Sequence, residues 1–168
     1  MILDSEILIG IAALGLTLTG FSGLVAVLGK RSTGEWREGE KVQFVELAII
    51  SLTVTFGAFI PILVASAFKT TLVSPIALGL ISIAHIGCLV HGMLSVTKSE
   101  EARAEYATGV LTFLIGGGVL IIAASLGSTF GFIGETELLI LLNLVWLLLV
   151  AVVNFVQLLT SSGFTSES

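Results

Sequence analysis

Residues Ile76–Thr97 read IALGLISIAHIGCLVHGMLSVT, a run with no Asp, Glu, Lys or Arg. At 1.5 Å rise per residue, about 20 helical residues cross the roughly 30 Å hydrocarbon layer of a bilayer. The run therefore has the length of a transmembrane helix. It also carries Cys88 and both histidines of the chain, His85 and His91. Four further apolar runs flank it, and together they leave almost nothing for a soluble domain.

Composition supports the same class. The 168 residues are 55% hydrophobic and 11% charged, with a mean hydropathy of +1.12, whereas soluble domains carry roughly 25% charge. The formal charge of −5 and the absence of a basic face interleaved with aromatics give a nucleic-acid partner no electrostatic support. Cys88, the one cysteine, cannot form an internal disulfide, and inside an apolar run its thiol serves packing.

The expected fold is an all-α integral membrane protein: a single transmembrane domain over residues 1–168, built as a compact bundle of five transmembrane helices. Their expected bounds are about 7–28, 44–68, 76–97, 106–126 and 138–160. The chain opens Met-Ile-Leu-Asp-Ser-Glu, with acids where a secretory leader carries Lys or Arg, so the first run is expected to be a retained helix. No lipidation or retention motif stands at either end, and anchoring in the lipid bilayer is left to the helices. Lys30, Arg31, Arg37, Lys41, Lys98 and Arg103 fall in loops on one side, against Lys69 on the other. The positive-inside rule then places the N-terminus outside and the C-terminus inside, in a cell or organelle inner membrane.

The first loop, Gly29 to Gln43, mixes charge signs around Trp36 and reads as a solvated turn with its indole at headgroup level. It is not a phosphate-binding loop, because Leu24 stands where the upstream glycine is required and Arg31 follows Lys30 in place of Ser or Thr.

Small residues suggest how the helices meet. At 100° per residue, Gly15, Thr19, Ser22, Ala26 and Gly29 fall within about 80° of arc on the first helix, a smooth stripe for close approach. Gly109, Thr112, Gly116, Ala123 and Gly127 repeat the device on the fourth, where Gly117 and Gly118 thin the middle further. Pro61 inside the second helix removes an N–H donor and favours a kink. On the fifth, Asn143, Asn154 and Gln157 share about 60° of arc with Val150 and Ser161, a polar face too costly to turn toward lipid. Trp146 lies beside it.

His85 falls near the bilayer middle and His91 about 9 Å nearer the cytoplasm. Glu46 is the one acid inside an expected span. Depth alone groups Glu46, His91, Ser95, Asn154 and Gln157 as a candidate site, while His85 is left without an assigned companion. Each histidine suits either interhelical hydrogen bonding or proton handling. A spacing of six does not put both rings on one coordination face, and no metal or haem motif is present. No cofactor is expected, except that a symmetric oligomer could share a haem or metal between chains. Cys88 has no recognised acid partner, so an enzyme is not expected.

Intramembrane His, Glu, Asn and Gln together point to a small membrane transport protein, an ion or proton channel or carrier, as a homo-oligomer. The same features fit a structural or assembly subunit of a larger membrane complex, or a cofactor-binding redox subunit.

Overall fold

The computed structural model describes residues 4–33, 38–68, 72–98 and 108–161. They form five helices: α1 (Ser5–Thr33), α2 (Glu38–Ala67), α3 (Val73–Lys98), α4 (Thr108–Thr129) and α5 (Thr136–Ser161). All five are long and apolar enough to cross a membrane, consistent with a multi-pass membrane protein.

The helices run further into polar sequence than the apolar windows suggest. α1 continues to Thr33 and α2 begins at Glu38, so most of the expected loop Gly29–Gln43 is helical. Residues 34–37, including Trp36 and Arg37, lie outside the described residues, as do Lys69 and Arg103. Glu, Lys and Gln are good helix formers, and extending the ladder keeps backbone groups paired where apolar surroundings thin out. Gly39, Glu40 and Gln43 are buried, which corrects the picture of a solvated turn for that part of the loop. α3 starts at Val73, three residues before the expected Ile76, with Pro75 in its first turn. The first four N–H groups of a helix have no intrahelical acceptor, so proline costs nothing there. Pro61 is buried inside α2, which is helical on both sides of it.

Local chemistry closes the ends. Asp4 caps α1, its Oδ1 accepting the Glu6 N–H at 2.9 Å. α4 ends with Gly131 at φ +81°. The Phe132 N–H reaches Gly127 O at 2.9 Å and the Gly131 N–H reaches Ser128 O at 3.0 Å, the bond pair of a Schellman motif. The hydroxyls of Ser128 and Thr136 lie 3.1 Å apart and join the end of α4 to the start of α5.

α5 packs against all four other helices, α2 against α1, α3 and α5, and α4 principally against α3 and α5. Leu47, Val54, Leu78, Ile140, Leu144 and Leu158 make the apolar interior. Polarity is inverted relative to a soluble protein. Gln43, Glu46, His85, Asn143 and Asn154 are buried, while Phe56, Leu63, Ile83, Phe113 and Leu120 point outward, each more than half exposed. A lipid solvent rewards that arrangement, because unpaired polar groups are costly outside and apolar ones are not.

Two glycine contacts set helix spacing. A Cβ on Gly15 would stand 2.7 Å from Thr55 Oγ1 and 2.9 Å from Ser51 O, so α1 rests on the α2 backbone there. Ser22 on the same stripe is buried and Thr19 half-buried, their hydroxyls turned onto their own helix. The side chain of Ala26 lies outside the described residues. On α4 the expected stripe is displaced: Thr112, Gly116 and Ala123 face outward, and a Cβ on Gly116 would meet nothing. Gly117 and Gly118 make the close approach instead, to Trp146 and His85. α4 is apolar on every side, so its sequence carries no signal for rotation about its axis. Gly109 lies outside the described side chains, and Gly127 rests on Ile133.

Candidate functional site

His85 sits at the midpoint of α3 and is buried. Its Nδ1 lies 2.8 Å from Asn143 Oδ1 on α5. The Asn143 amide donates from Nδ2 to Leu139 O at 2.8 Å and to Ser125 Oγ on α4, also at 2.8 Å. A backbone carbonyl can only accept, so the Leu139 contact fixes which end of the amide is nitrogen. Oδ1 must then face His85 as acceptor, and His85 Nδ1 carries the proton. Ser125 Oγ passes the direction on by donating to Ile121 O at 2.8 Å. The chain from His85 through Asn143 and Ser125 is thus oriented one way and stops at a carbonyl.

In the neutral ring, the proton on Nδ1 leaves Nε2 as an acceptor. Nε2 faces Gly118, whose absent Cβ would stand 3.2 Å from it and 3.5 Å from Trp146 Nε1. Trp146 Nε1 is buried and has no hydrogen-bond partner among the described residues.

The second pair lies about 1.7 turns further along α3. His91 Nδ1 is 2.6 Å from Glu46 Oε1, with the glutamate buried and the histidine nearly half exposed. Glu46 Oε2 rests against Gly92, 3.4 Å from the place of its missing Cβ. Between the two histidines the Cys88 thiol donates to Thr53 Oγ1 at 3.4 Å, a link from α3 to α2.

A cleft of about 80 Å³, partly open, is lined by Glu46, His85, Cys88, Gly92 and Trp146 from among these groups. It runs from Val96 and Leu111, near the adjoining ends of α3 and α4, to His85 and Trp146, and Glu46 and Asn154 line its middle. From Val96 to His85 is about 16 Å along α3. Its walls are otherwise apolar, as at Leu89, Leu114 and Val150.

The structure therefore brings Glu46 to His91, and His85 to Asn143, and it places Asn154 on the shared cleft. Gln157 stands apart, its Oε1 buried without a partner among the described residues, and Ser95 is half-buried beyond His91 on α3. Ser125, Thr53, Trp146 and Gly118 complete the site, although depth along the helices does not single them out. Ser125 was visible only as a hydroxyl in a long apolar run, and Gly118 only as part of a glycine triplet. Among the described residues no three His, Cys, Asp or Glu side chains converge in the manner of a metal site.

Comparison with known protein families, with curated proteins and with solved structures found no match. The geometry itself carries the functional argument.

Proposed function

We propose that the chain is a small membrane transport protein whose cleft admits protons, or a proton-coupled solute, from one side as far as His85. The carrying observation is that a buried carboxylate and a buried imidazole, Glu46 and His85, open onto one cleft between the same helices. Ionisable groups at such depth are costly and serve ion pathways when water or a substrate reaches them. Beyond His85 the polar chain ends on Ile121 O, and an asparagine amide does not relay protons. A polar chain that ends there favours a carrier that opens its two sides in turn over a continuously open channel. The bias of Lys30, Arg31, Lys41 and Lys98 toward the Val96 end favours a cytoplasmic position for that end, with the N-terminus outside and the C-terminus inside.

The test is proton flux into liposomes carrying the purified chain and an internal pH-sensitive dye, under an imposed pH gradient or membrane potential. Flux above that of empty liposomes, lowered several-fold by Glu46→Gln and by His85→Ala, supports the reading. Flux equal to empty liposomes in every gradient overturns it.

A further inference from the structure

We infer that the cleft binds an alkylammonium ion, with its charged nitrogen on Glu46 and its carbon against the apolar walls. The two oxygens of Glu46 stand in different surroundings. Oε1 takes the contact with His91 Nδ1 at 2.6 Å. Oε2 accepts no hydrogen bond among the described residues and rests against Gly92, 3.4 Å from the place of its missing Cβ. The unpartnered side-chain atoms sealed from solvent among those residues are Ser51 Oγ, Ser82 Oγ, Trp146 Nε1 and Gln157 Oε1. Oε2 is not one of them, so open space lies beside it. Glu46 and Gly92 both line the cleft, and the cleft is that space.

Charge decides what Oε2 accepts. The glutamate is 3% exposed, and no Lys or Arg pairs with it among the described residues. A neutral imidazole donating to Oε1 leaves the charge of the carboxylate uncompensated, and a buried charge is costly until a counter-charge reaches it. The complement is a cation that donates a hydrogen bond. A hard metal ion takes about six or more oxygen ligands, whereas the cleft offers one carboxylate and the Asn154 amide. The walls around them, Ile50, Met93, Leu111, Leu114 and Val150, are apolar and call for carbon. A cavity of about 150 Å³ holds one benzene. On that scale the 80 Å³ of the cleft holds roughly three heavy atoms, the ammonium and its first carbons. Because the cleft is partly open, a longer unbranched tail continues out of it. Naming this ion as the carried solute rests on the transport reading, but its binding does not.

The full chain in a non-ionic detergent is titrated with hexylammonium chloride, with hexanol and with sodium hexanoate, and the rise in melting temperature is followed to saturation. A saturable rise with hexylammonium that neither hexanol nor hexanoate produces supports the site. Glu46→Gln keeps the shape and removes the charge, and it should weaken hexylammonium binding about tenfold or more. Gly92→Ala, whose Cβ would stand against Oε2, should weaken it too, whereas Gly116→Ala on the outer face should leave it intact. An equal rise with hexanol would make the cleft an apolar hollow only and overturn the proposal. So would no saturable rise with hexylammonium, an equal rise with sodium chloride, or hexylammonium binding unchanged in Glu46→Gln. The comparison among compounds is made on the parent chain, so it decides the matter even where a variant fails to fold. Proton flux without hexylammonium binding overturns this site and leaves the transport reading standing; binding without flux does the reverse.

Discussion

His91 Nδ1 lies 2.6 Å from Glu46 Oε1, yet the two side chains live in different surroundings, 46% exposed for the histidine and 4% for the glutamate. That asymmetry predicts unequal costs of removal. With Glu46→Gln the acceptor oxygen remains and His91 still has outside space in which to find other partners. With His91→Ala a buried carboxylate is left without its partner, an outcome that costs about 1–3 kcal/mol. Thermal unfolding in detergent should show His91→Ala destabilised by more than Glu46→Gln. The reverse order would mean that the histidine contributes nothing to holding the carboxylate.

Asn143 joins three helices through one amide. Asn143→Leu removes the acceptor for His85 and the donor to Ser125 together, leaving polar atoms buried on α3 and α4. The expected loss is about 1–3 kcal/mol of stability. Double substitution with Ser125→Ala should cost less than the sum of the two singles, because the Ser125 acceptor is then no longer stranded. Strict additivity in a double-mutant cycle would show that the hydrogen bond between Asn143 and Ser125 carries no coupling energy.

Residue type and depth were enough to bring His91 and Glu46 together, because both lie on the same side of the membrane centre and few polar groups compete there. They were not enough for His85 and Asn143. Each was conspicuous alone, and the polar face of α5 marks which side of it turns inward, but nothing in the sequence marks which helix lies opposite that face or at what rotation α3 meets it. α4 shows the same limit more sharply, since Gly116, Gly117 and Gly118 differ only by 100° steps and the structure turns the second and third inward. Span number was legible because hydrocarbon thickness dictates length. Helix ends were less so, because Glu, Lys and Gln at the membrane edge continue a helix as readily as they leave it.

Gly131 ends α4 at φ +81° and a Cβ there would meet nothing within 4 Å, so substitution tests backbone strain with no packing contribution. Gly131→Ala should cost about 1–2 kcal/mol, the penalty of a left-handed conformation for a residue with a Cβ. Gly131→Asn should cost less, since asparagine tolerates this region. Equal melting temperatures for the parent and Gly131→Ala would show that the Schellman turn does not hold the α4–α5 connection.

Gly116 and Gly117 are adjacent, and their alanine variants should behave oppositely. A Cβ on Gly117 would stand 2.1 Å from Cζ2 and 2.2 Å from Cη2 of Trp146. The indole is also bounded by Phe113, at a centroid separation of 5.3 Å, so it cannot simply swing toward that ring. Gly117→Ala therefore forces α4 away from α5 or drives the indole from its place, and such overpacking costs about 1–3 kcal/mol. Gly116→Ala adds a methyl to an open outer face and should change stability by less than about 0.5 kcal/mol. Trp146 emission in a Trp36→Phe chain gives a second readout: Gly117→Ala should shift it as the ring is displaced, while Gly116→Ala should not. If both alanines were tolerated alike, with Trp146 emission unmoved, α4 would not meet α5 through this glycine.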